Sequence, residues 1–509
     1  MKILFIRNSC LTSSTSVLGV GVGIVATIAH NAGHDVKVID NNTHYKYYTE
    51  KDFLRAINLY KPDVLAYAIS IQNAYETYRQ ILKFKSIFPN MPIIAGGIHM
   101  RRSFEEALRH GVDVVVNRDG EKVILPLLKH IENQRTQYKQ DLKLIPGVSF
   151  IKEDGSFHFA KEFPALENLD DVPIVNYQLF NIDDYIKTKN EPGLFNITGQ
   201  RGCPFGCNFC SDSIQRDDKR MASADWLFKN VVDLYDKYKV FYLIFCDNNF
   251  TLNRERVVKF CNKIIESGLN KKITFSCQTK LETVDEDLIR LMKEAGFYRF
   301  NFGLERLVPD SLKGINKNTS VELVHKVFPL FTKQNIVPAV FILVGFPFEN
   351  TELIRKEKEA FLGLTKYTNR LLATVLSPTP GTIYYDETPE AKEWYLDADY
   401  YFKQRAYFTN ILEVSSLYAL DKNFFNFSDD LKKEIADFYL TFKHIFHGSV
   451  FNKKHPGVFL LLKSDLLLAK LSQALFYFSP SLEFCIFRRV RVIRYYLGTY
   501  FLGRKVLKK

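Results

Sequence analysis

Three cysteines in the segment RGCPFGCNFCSDS, Cys203, Cys207 and Cys210, are separated by three and two residues and directly follow an apolar run, FNITGQ. A tight loop with that spacing can aim three thiolates at three corners of a [4Fe-4S] cubane, since such clusters take thiolates at their protein-held corners. Three ligands for four irons leave one iron open to an outside ligand. Structural zinc is the competing reading, but zinc closes its shell with four ligands in paired C-x2-C or H-x3-H arrangements, and no second pair follows. Cys10, Cys246, Cys261, Cys277 and Cys485 stand singly. They are expected to be small buried apolar residues, so no auxiliary cluster is expected.

The elements that must position this loop read as strand-then-helix units. From Phe195 onward FNITGQ, FYLIFCD, ITFSCQ, YRFNFG, AVFILVG and LLATVLS are six candidate strands, each but the last followed by a helical stretch. That pattern predicts a partial (β/α)6 barrel over residues 191–385 with its site at the carboxyl ends of the strands. Upstream, ILFIR, VKVID, VLAYAIS, PIIAGG and VDVVVN alternate with Gly19 to Gly33, Glu50 to Tyr60, Ala74 to Phe88 and Phe104 to Gly111. This predicts an α/β fold over residues 1–140, a doubly wound, Rossmann-like or flavodoxin-like parallel sheet. Ligands of such sheets lie beyond the carboxyl ends of the strands, which places Ser70, Gly96, Gly97 and the Asn117 to Glu121 turn at one crevice. Gly19, Gly21 and Gly23 are spaced G-x-G-x-G and sit too far past the first strand for a dinucleotide turn, so close packing of a helix start explains them at least as well. Residues 141–190 read as a connector with a hairpin around Asp154-Gly155. Residues 386–509 turn helical, aromatic and finally basic.

Charge is concentrated at the end of the chain. Residues 451–509 hold 12 Lys or Arg against Asp465 and Glu483, +10 of the chain's net +12. Basic residues alternating with Leu, Phe and Tyr suit an anionic membrane surface. A solvated helical cap suits the composition equally, and both readings stay open. Nucleic acid is not expected as a partner, because no recognised binding motif accompanies the charge. The apolar run from Gly457 to Phe478 is interrupted by Lys463, Asp465 and Lys470, which argues against a membrane-spanning helix. Sparse cysteines and a start without a secretory core point to a reducing cytoplasm, with the inner membrane face as the site of any peripheral contact.

The cysteine loop, with an aromatic at Phe209, resembles the signature of the radical S-adenosylmethionine (SAM) superfamily. More narrowly, the chain is similar to the class with an N-terminal cobalamin (B12)-binding domain. The resemblance covers about residues 1 to 385 and rests on an ordered set: VATIAHNAGHDVKVID, PDVLAYAIS, PIIAGGIHM, VDVVVNRDGE, the cysteine loop, CDNNFTLNRERV, LIRLMKEAGFYRFNFGLE, FILVGFPFENTE and SPTPGT. It implies that the open iron binds SAM and that an electron from the cluster cleaves SAM to methionine and a 5'-deoxyadenosyl radical. By motif, Phe209 would lie beside the adenine. The Asp247, Asn248 and Asn249 turn would help hold the methionine amine. Gln278 and Lys280 could approach the carboxylate, Glu305 the ribose or substrate, and Gly345 with Pro347 the adenine. For Asp247 and Glu305 a helix cap or ion pair is the structural alternative.

Cobalamin would contact Ser70, Gly96, Gly97, Asn117, Glu121 and the loop near Thr12, Ser13 and Ser16. The D-x-H-x-x-G motif is missing, so histidine is not expected on the lower cobalt face. Two departures from the family pattern stand out: Asn117-Arg118-Asp119-Gly120-Glu121 in place of a G-E-G-E-like turn, and Arg306 after Glu305 where serine is usual. The activity implied is a cobalamin-dependent methyltransferase acting on an unactivated carbon of a small-molecule substrate, a lipophilic one being suited to the Leu- and Tyr-rich end of the chain. The alternative is a radical cyclase, oxidative or rearrangement enzyme of the same architecture, on a lipid or tetrapyrrole. An electron donor such as flavodoxin or ferredoxin is implied as partner. A non-catalytic cluster-binding sensor is disfavoured, since an open iron has no structural value.

Overall fold

The computed structural model describes residues 1–8, 18–41, 48–134, 137–180, 182, 195–212, 218–394 and 424–450. Thr12, Ser13, Ser16, Cys10, Cys485 and the basic stretch 451–509 lie outside the described residues. The chain divides into two compact units, one chiefly Met1–Asn196 and the other chiefly Ile197 onward.

The first unit is built on a seven-stranded sheet. Its strands are β1 (Lys2–Arg7), β2 (Asp35–Asp40), β3 (Val64–Ala68), β4 (Ile93–Gly96), β5 (Val114–Val116), β6 (Val148–Ile151) and β7 (Phe157–His158), in spatial order β2-β1-β3-β4-β5-β6-β7. The first five pair in parallel, and β6 and β7 add antiparallel as the hairpin expected around Asp154-Gly155. Ile3 to Ile6, Val64 to Tyr67 and Val114 to Val116 are all buried, as strands covered on both faces must be. The order reverses between β1 and β3, and ligands of such sheets bind beyond the strand ends at this kind of switch point. Helix starts are chemically marked. At Glu50–Tyr60, Thr49 and Asp52 form a reciprocal capping box that satisfies two otherwise orphan N–H groups. Gly23, in the helix Val20–Asn31, has no room for a side chain: a Cβ there would lie 2.6 Å from Val175 and 3.1 Å from Phe180. Close packing explains that glycine.

Further along the chain the strands are β8 (Asn196–Ile197), β9 (Gln200–Arg201), β10 (Arg220–Met221), β11 (Tyr242–Phe245), β12 (Thr274–Thr279), β13 (Phe297–Glu305), β14 (Ala339–Val344) and β15 (Leu371–Val375). Six of them form the sheet of the second unit, ordered β15-β14-β13-β12-β11-β8, and the short strands β9 and β10 stand at the two ends of the cysteine loop. β11 through β15 pair in parallel. The intervening helices start on polar caps: Ser223 accepts from Trp226 N–H, Asn253 from Arg256, Asp285 from Leu288, Ser320 from Leu323 and Asn350 from Leu353. Between strands and helices lies an aromatic core. Phe245 packs on Phe250, Phe260, Phe275 and Phe297 at centroid distances of 4.5 to 5.8 Å. Because strand side chains alternate, turning Leu243, Phe245, Phe275 and Cys277 to the buried helix face sends Ile244, Cys246, Gln278 and Lys280 to the opposite, concave face. After β15 the helix Asp429–Val450 closes over the sheet, with Phe438 and Phe442 against Phe361.

Candidate functional site

Cys203, Cys207 and Cys210 are free, half-buried thiols on the loop between β9 and β10. Burial is the main cause raising Cys203 and pushing Cys210 up to about 11, with Asp212 next for Cys210. Thiols held in this way ionise when a bound cation stabilises the thiolate. The loop is fixed from outside. Asn208 N–H donates to Ile315 O at 3.1 Å, Asn208 Nδ2 to Gly314 O at 3.3 Å, and Asn316 Nδ2 to Gly206 O at 2.7 Å. Among the described residues no three His, Cys, Asp or Glu side chains gather as ligands of a single metal ion. A cubane, which takes one thiolate at each of three separate corners, does not require that convergence. The donor set, three unbridged thiols on one pinned loop, fits such a cluster.

Around the loop stand two lysines. Lys280, after β12, places Nζ 3.3 Å from the Phe205 ring centroid; it makes no hydrogen bond among the described residues, and Glu282 lies 3.9 Å away. Burial lowers its pKa, with Glu282 opposing. Lys317 sits 5.6 Å from the Phe209 ring and 3.5 Å from Glu305 Oε1. Burial raises the Glu305 pKa, and Lys317 opposes the shift. Phe209 meets the buried Phe346 edge-on at 6.1 Å. Gly345, next to Phe346, has φ +92 and donates its N–H to Glu349 Oε2 at 2.8 Å. Phe209, Glu305 and Gly345 are therefore linked through Phe346 and Lys317 around one region, and Gln278 is exposed on the concave face that also carries Lys280.

Asp247 is differently employed. Its Oδ1 accepts from Gly199 N–H at 2.7 Å and its Oδ2 pairs with Arg256 at 3.0 Å, both groups buried. The carboxylate braces the strand ends as a buried ion pair, while its neighbour Asn248 is exposed. Asn249 is buried and accepts from Thr251 and Thr283. Cys246 departs from the expectation of a buried apolar residue: it is exposed, because strand alternation turns it to the concave face. Surrounding protein still pushes its thiol up to about 11. Cys261 and Cys277 are buried as expected.

In the first unit the turns after β3 and β4 are tied together. Ile69 N–H donates to Gly96 O at 2.8 Å, and Ser70 N–H to Asn73 Oδ1 at 2.8 Å. Gly97 has φ +110, and a Cβ there would lie 2.5 Å from Ile69 O, so only glycine fits this close approach. Ser70, Gly96 and Gly97 thus meet at the ends of neighbouring strands. Asn117 is buried one strand further on; it donates to Met100 O and accepts from Ser149 Oγ at 2.6 Å. Glu121 lies half-buried beyond it. The altered turn has its own work: Asp119 pairs with Arg220 at 2.7 Å and with Arg101 at 3.6 Å. A surface of backbone and small side chains between strand ends fits a broad flat ligand such as cobalamin.

Sequence reasoning missed Asn208, Asn316, Lys317, Arg256 and Glu349. The run GINKN, dense in polar side chains directly after a helix, was the available signal for two of them.

Two family models match the chain: the Radical SAM superfamily over residues 197–358 and the B12 binding domain over residues 10–127. The chain is 29% identical over 398 residues to an uncharacterised methyltransferase of Pyrococcus horikoshii, covering 75% of this chain and 82% of that protein. It is 24% identical over 365 residues to an anaerobic magnesium-protoporphyrin IX monomethyl ester cyclase of Rubrivivax gelatinosus, covering 70% of this chain and 64% of the cyclase. Among solved structures it superposes with TM-score 0.62 and 16% identity on the radical S-adenosylmethionine methyltransferase TsrM from Kitasatospora setae, solved with cobalamin and a [4Fe-4S] cluster bound; 76% of this chain and 78% of that one are covered. At that identity the likeness is one of fold.

Proposed function

Starting from a chain that belongs to the radical SAM superfamily, in the class with an N-terminal B12-binding domain, we propose that it methylates an unactivated carbon of a small-molecule substrate. The pinned loop of three unbridged thiols beside Lys280 and Lys317 carries the radical SAM part of this reading, and the likeness to the Pyrococcus methyltransferase supports methyl transfer. Cys203, Cys207 and Cys210 would hold the cluster. When bound, the cluster and cobalamin supply the one-electron and methyl-carrying chemistry, and the protein supplies binding, orientation and exclusion of water.

In this reading Lys280, with ammonium hydrogens free to donate, binds the SAM carboxylate, and Gln278 and Asn248 line the same concave face. Glu305, held by Lys317, accepts from a ribose hydroxyl or the substrate. Phe209 and the backbone at Gly345 flank the adenine. Ser70, Gly96, Gly97 and Glu121 border cobalamin in the first unit, with Asn117 supporting the turn from beneath. A one-electron donor of the flavodoxin or ferredoxin class reduces the cluster. No helix among the described residues is long and apolar enough to cross a membrane. For a lipophilic substrate, the basic residues 451–509 supply a peripheral contact with an anionic membrane face, and loss of liposome flotation on their removal is the check.

The deciding experiment is anaerobic reconstitution with iron, sulfide and cobalamin, followed by product analysis with SAM. Methyl transfer yields S-adenosylhomocysteine and 5'-deoxyadenosine together. A second reading, a radical cyclase or rearrangement enzyme, is favoured by the match to the Rubrivivax cyclase. It predicts deoxyadenosine alone.

A further inference from the structure

β13 does not end as a regular strand. Its pairing with β14 slips between Gly303 and Glu305, and Arg306 N–H turns back to Leu304 O at 2.7 Å. That hydrogen bond spans two residues, and Glu305 at its centre has φ +61. A three-residue turn with positive φ at a residue other than glycine is strained, and it persists only where its surroundings hold it. The turn has a geometric consequence. Glu305 reaches back over Gly303 toward Lys317, and the next side chain, Arg306, enters the interior.

Arg306 is among the largest fully buried side chains of the molecule. Its guanidinium pairs with Glu349, also buried, and stacks toward Phe346 and Phe438 at 5.2 and 6.0 Å. Burial lowers its pKa to about 10, opposed by Glu357 and Glu305, so it remains charged at neutral pH. Glu349 in turn accepts the Gly345 N–H through its other oxygen. Glu357 accepts from Leu307 N–H at 2.9 Å and Val308 N–H at 3.0 Å, directly after the strained turn. Two carboxylates from the segment after β14 thus grip the turn after β13. The pair connects the backbone that aims Glu305 with the backbone at Gly345 and with Phe346, the ring against Phe209. Hydrophobic residues of similar volume would fill this space without a charge to bury, so stability alone does not explain an arginine here.

We propose that Arg306 is a positioning residue for SAM: its buried ion pair with Glu349 locks the turn that presents Glu305 to the loop that carries Gly345 and Phe346. The proposal rests on the radical SAM reading and assigns a role to a position where the family pattern carries serine.

The test compares wild type, Arg306→Met, Arg306→Lys and the double variant Arg306→Met/Glu349→Gln, each reconstituted anaerobically. Three quantities are read: iron and sulfide per chain, the thermal midpoint, and the dissociation constant of labelled SAM by equilibrium dialysis. Arg306→Met is expected to keep the cluster and weaken SAM about tenfold or more. The double variant removes the unpaired carboxylate, while the amide oxygen put in its place would still accept from Gly345 N–H, so its midpoint recovers and its SAM affinity does not. Arg306→Lys keeps the charge but loses the planar fork and falls between; it carries the test should Arg306→Met not fold. SAM affinity within about twofold of wild type in cluster-loaded variants, or affinity that recovers together with the midpoint, overturns the clamp. Wild-type protein that loads a cluster yet binds no SAM instead sinks the underlying reading, and the clamp with it.

Discussion

At Cys207 the chemistry depends on a single sulfur. The residue lies between the other two thiols on a loop whose backbone is already hydrogen-bonded to the turn Gly314–Asn316, so its removal deletes a ligand without releasing the loop. Cys207→Ala is expected to fold, to hold little iron after anaerobic reconstitution, and to cleave no SAM; iron content and the visible spectrum check it. Lys280 offers a complementary test. Its ammonium lies against Phe205 and 3.9 Å from Glu282, with no hydrogen bond among the described residues, so removing the charge takes away a donor and only one long ion pair. Lys280→Met is expected to load a normal cluster and bind SAM about tenfold more weakly, the scale of one lost charge-assisted hydrogen bond. The three cysteines were legible in sequence because their spacing is local and specific. Asp247 was legible as a polar residue at a strand end, but its partners Gly199 and Arg256 come from two other segments, and that pairing exists only in three dimensions. Arg306 was visible only as a departure from a pattern. Its burial depends on the positive-φ turn before it, which no propensity announces.

Elements are where the sequence spoke most clearly. Parallel strands covered on both faces must be continuous apolar runs, and VLAYA is such a run; AVFILV and LLATV are mostly apolar too, with Phe341, Leu343, Leu372 and Thr374 only half-buried on the other face. The helices were legible only as the stretches between those runs; the polar caps at their starts, Ser223, Asn253, Asp285, Ser320 and Asn350, emerge from the structure. The strands Gln200–Arg201 and Arg220–Met221 were not legible, since two-residue strands have no periodicity to read. How these elements are joined gives a prediction. Asp247 ties the end of β11 to Gly199, after β8, and to the helix Arg254–Glu266 through Arg256. Gly199 admits no side chain, for a Cβ there would lie 2.5 Å from Arg256. Asp247→Ala leaves a buried guanidinium without its carboxylate and is expected to destabilise the second unit by about 3–5 kcal/mol. Asp247→Ala with Arg256→Met should recover much of that loss in a denaturant titration. Recovery in the double variant separates a buried ion pair from a residue needed for SAM itself.

For the whole molecule, methyl transfer requires both units to work in one turnover, whereas cleavage of SAM in the barrel needs only the second. Lesions in the two units should therefore leave different product ratios. The suitable lesion in the first unit is Gly97→Ala. Its φ of +110 and the 2.5 Å approach to Ile69 O make any side chain strained there, and the turn it distorts joins Gly96 to Ile69 and lies beside Ser70. No residue of the cysteine loop is touched. Under the methyltransferase reading, Gly97→Ala retains less cobalamin, and S-adenosylhomocysteine falls well below 5'-deoxyadenosine, which the wild type forms alongside it. Cys207→Ala loses both products. Under the cyclase reading S-adenosylhomocysteine is absent from every variant, so the wild type already distinguishes the two. A Gly97→Ala protein with normal cobalamin content and an unchanged ratio would remove these strand ends from the binding surface, whichever reaction the barrel performs.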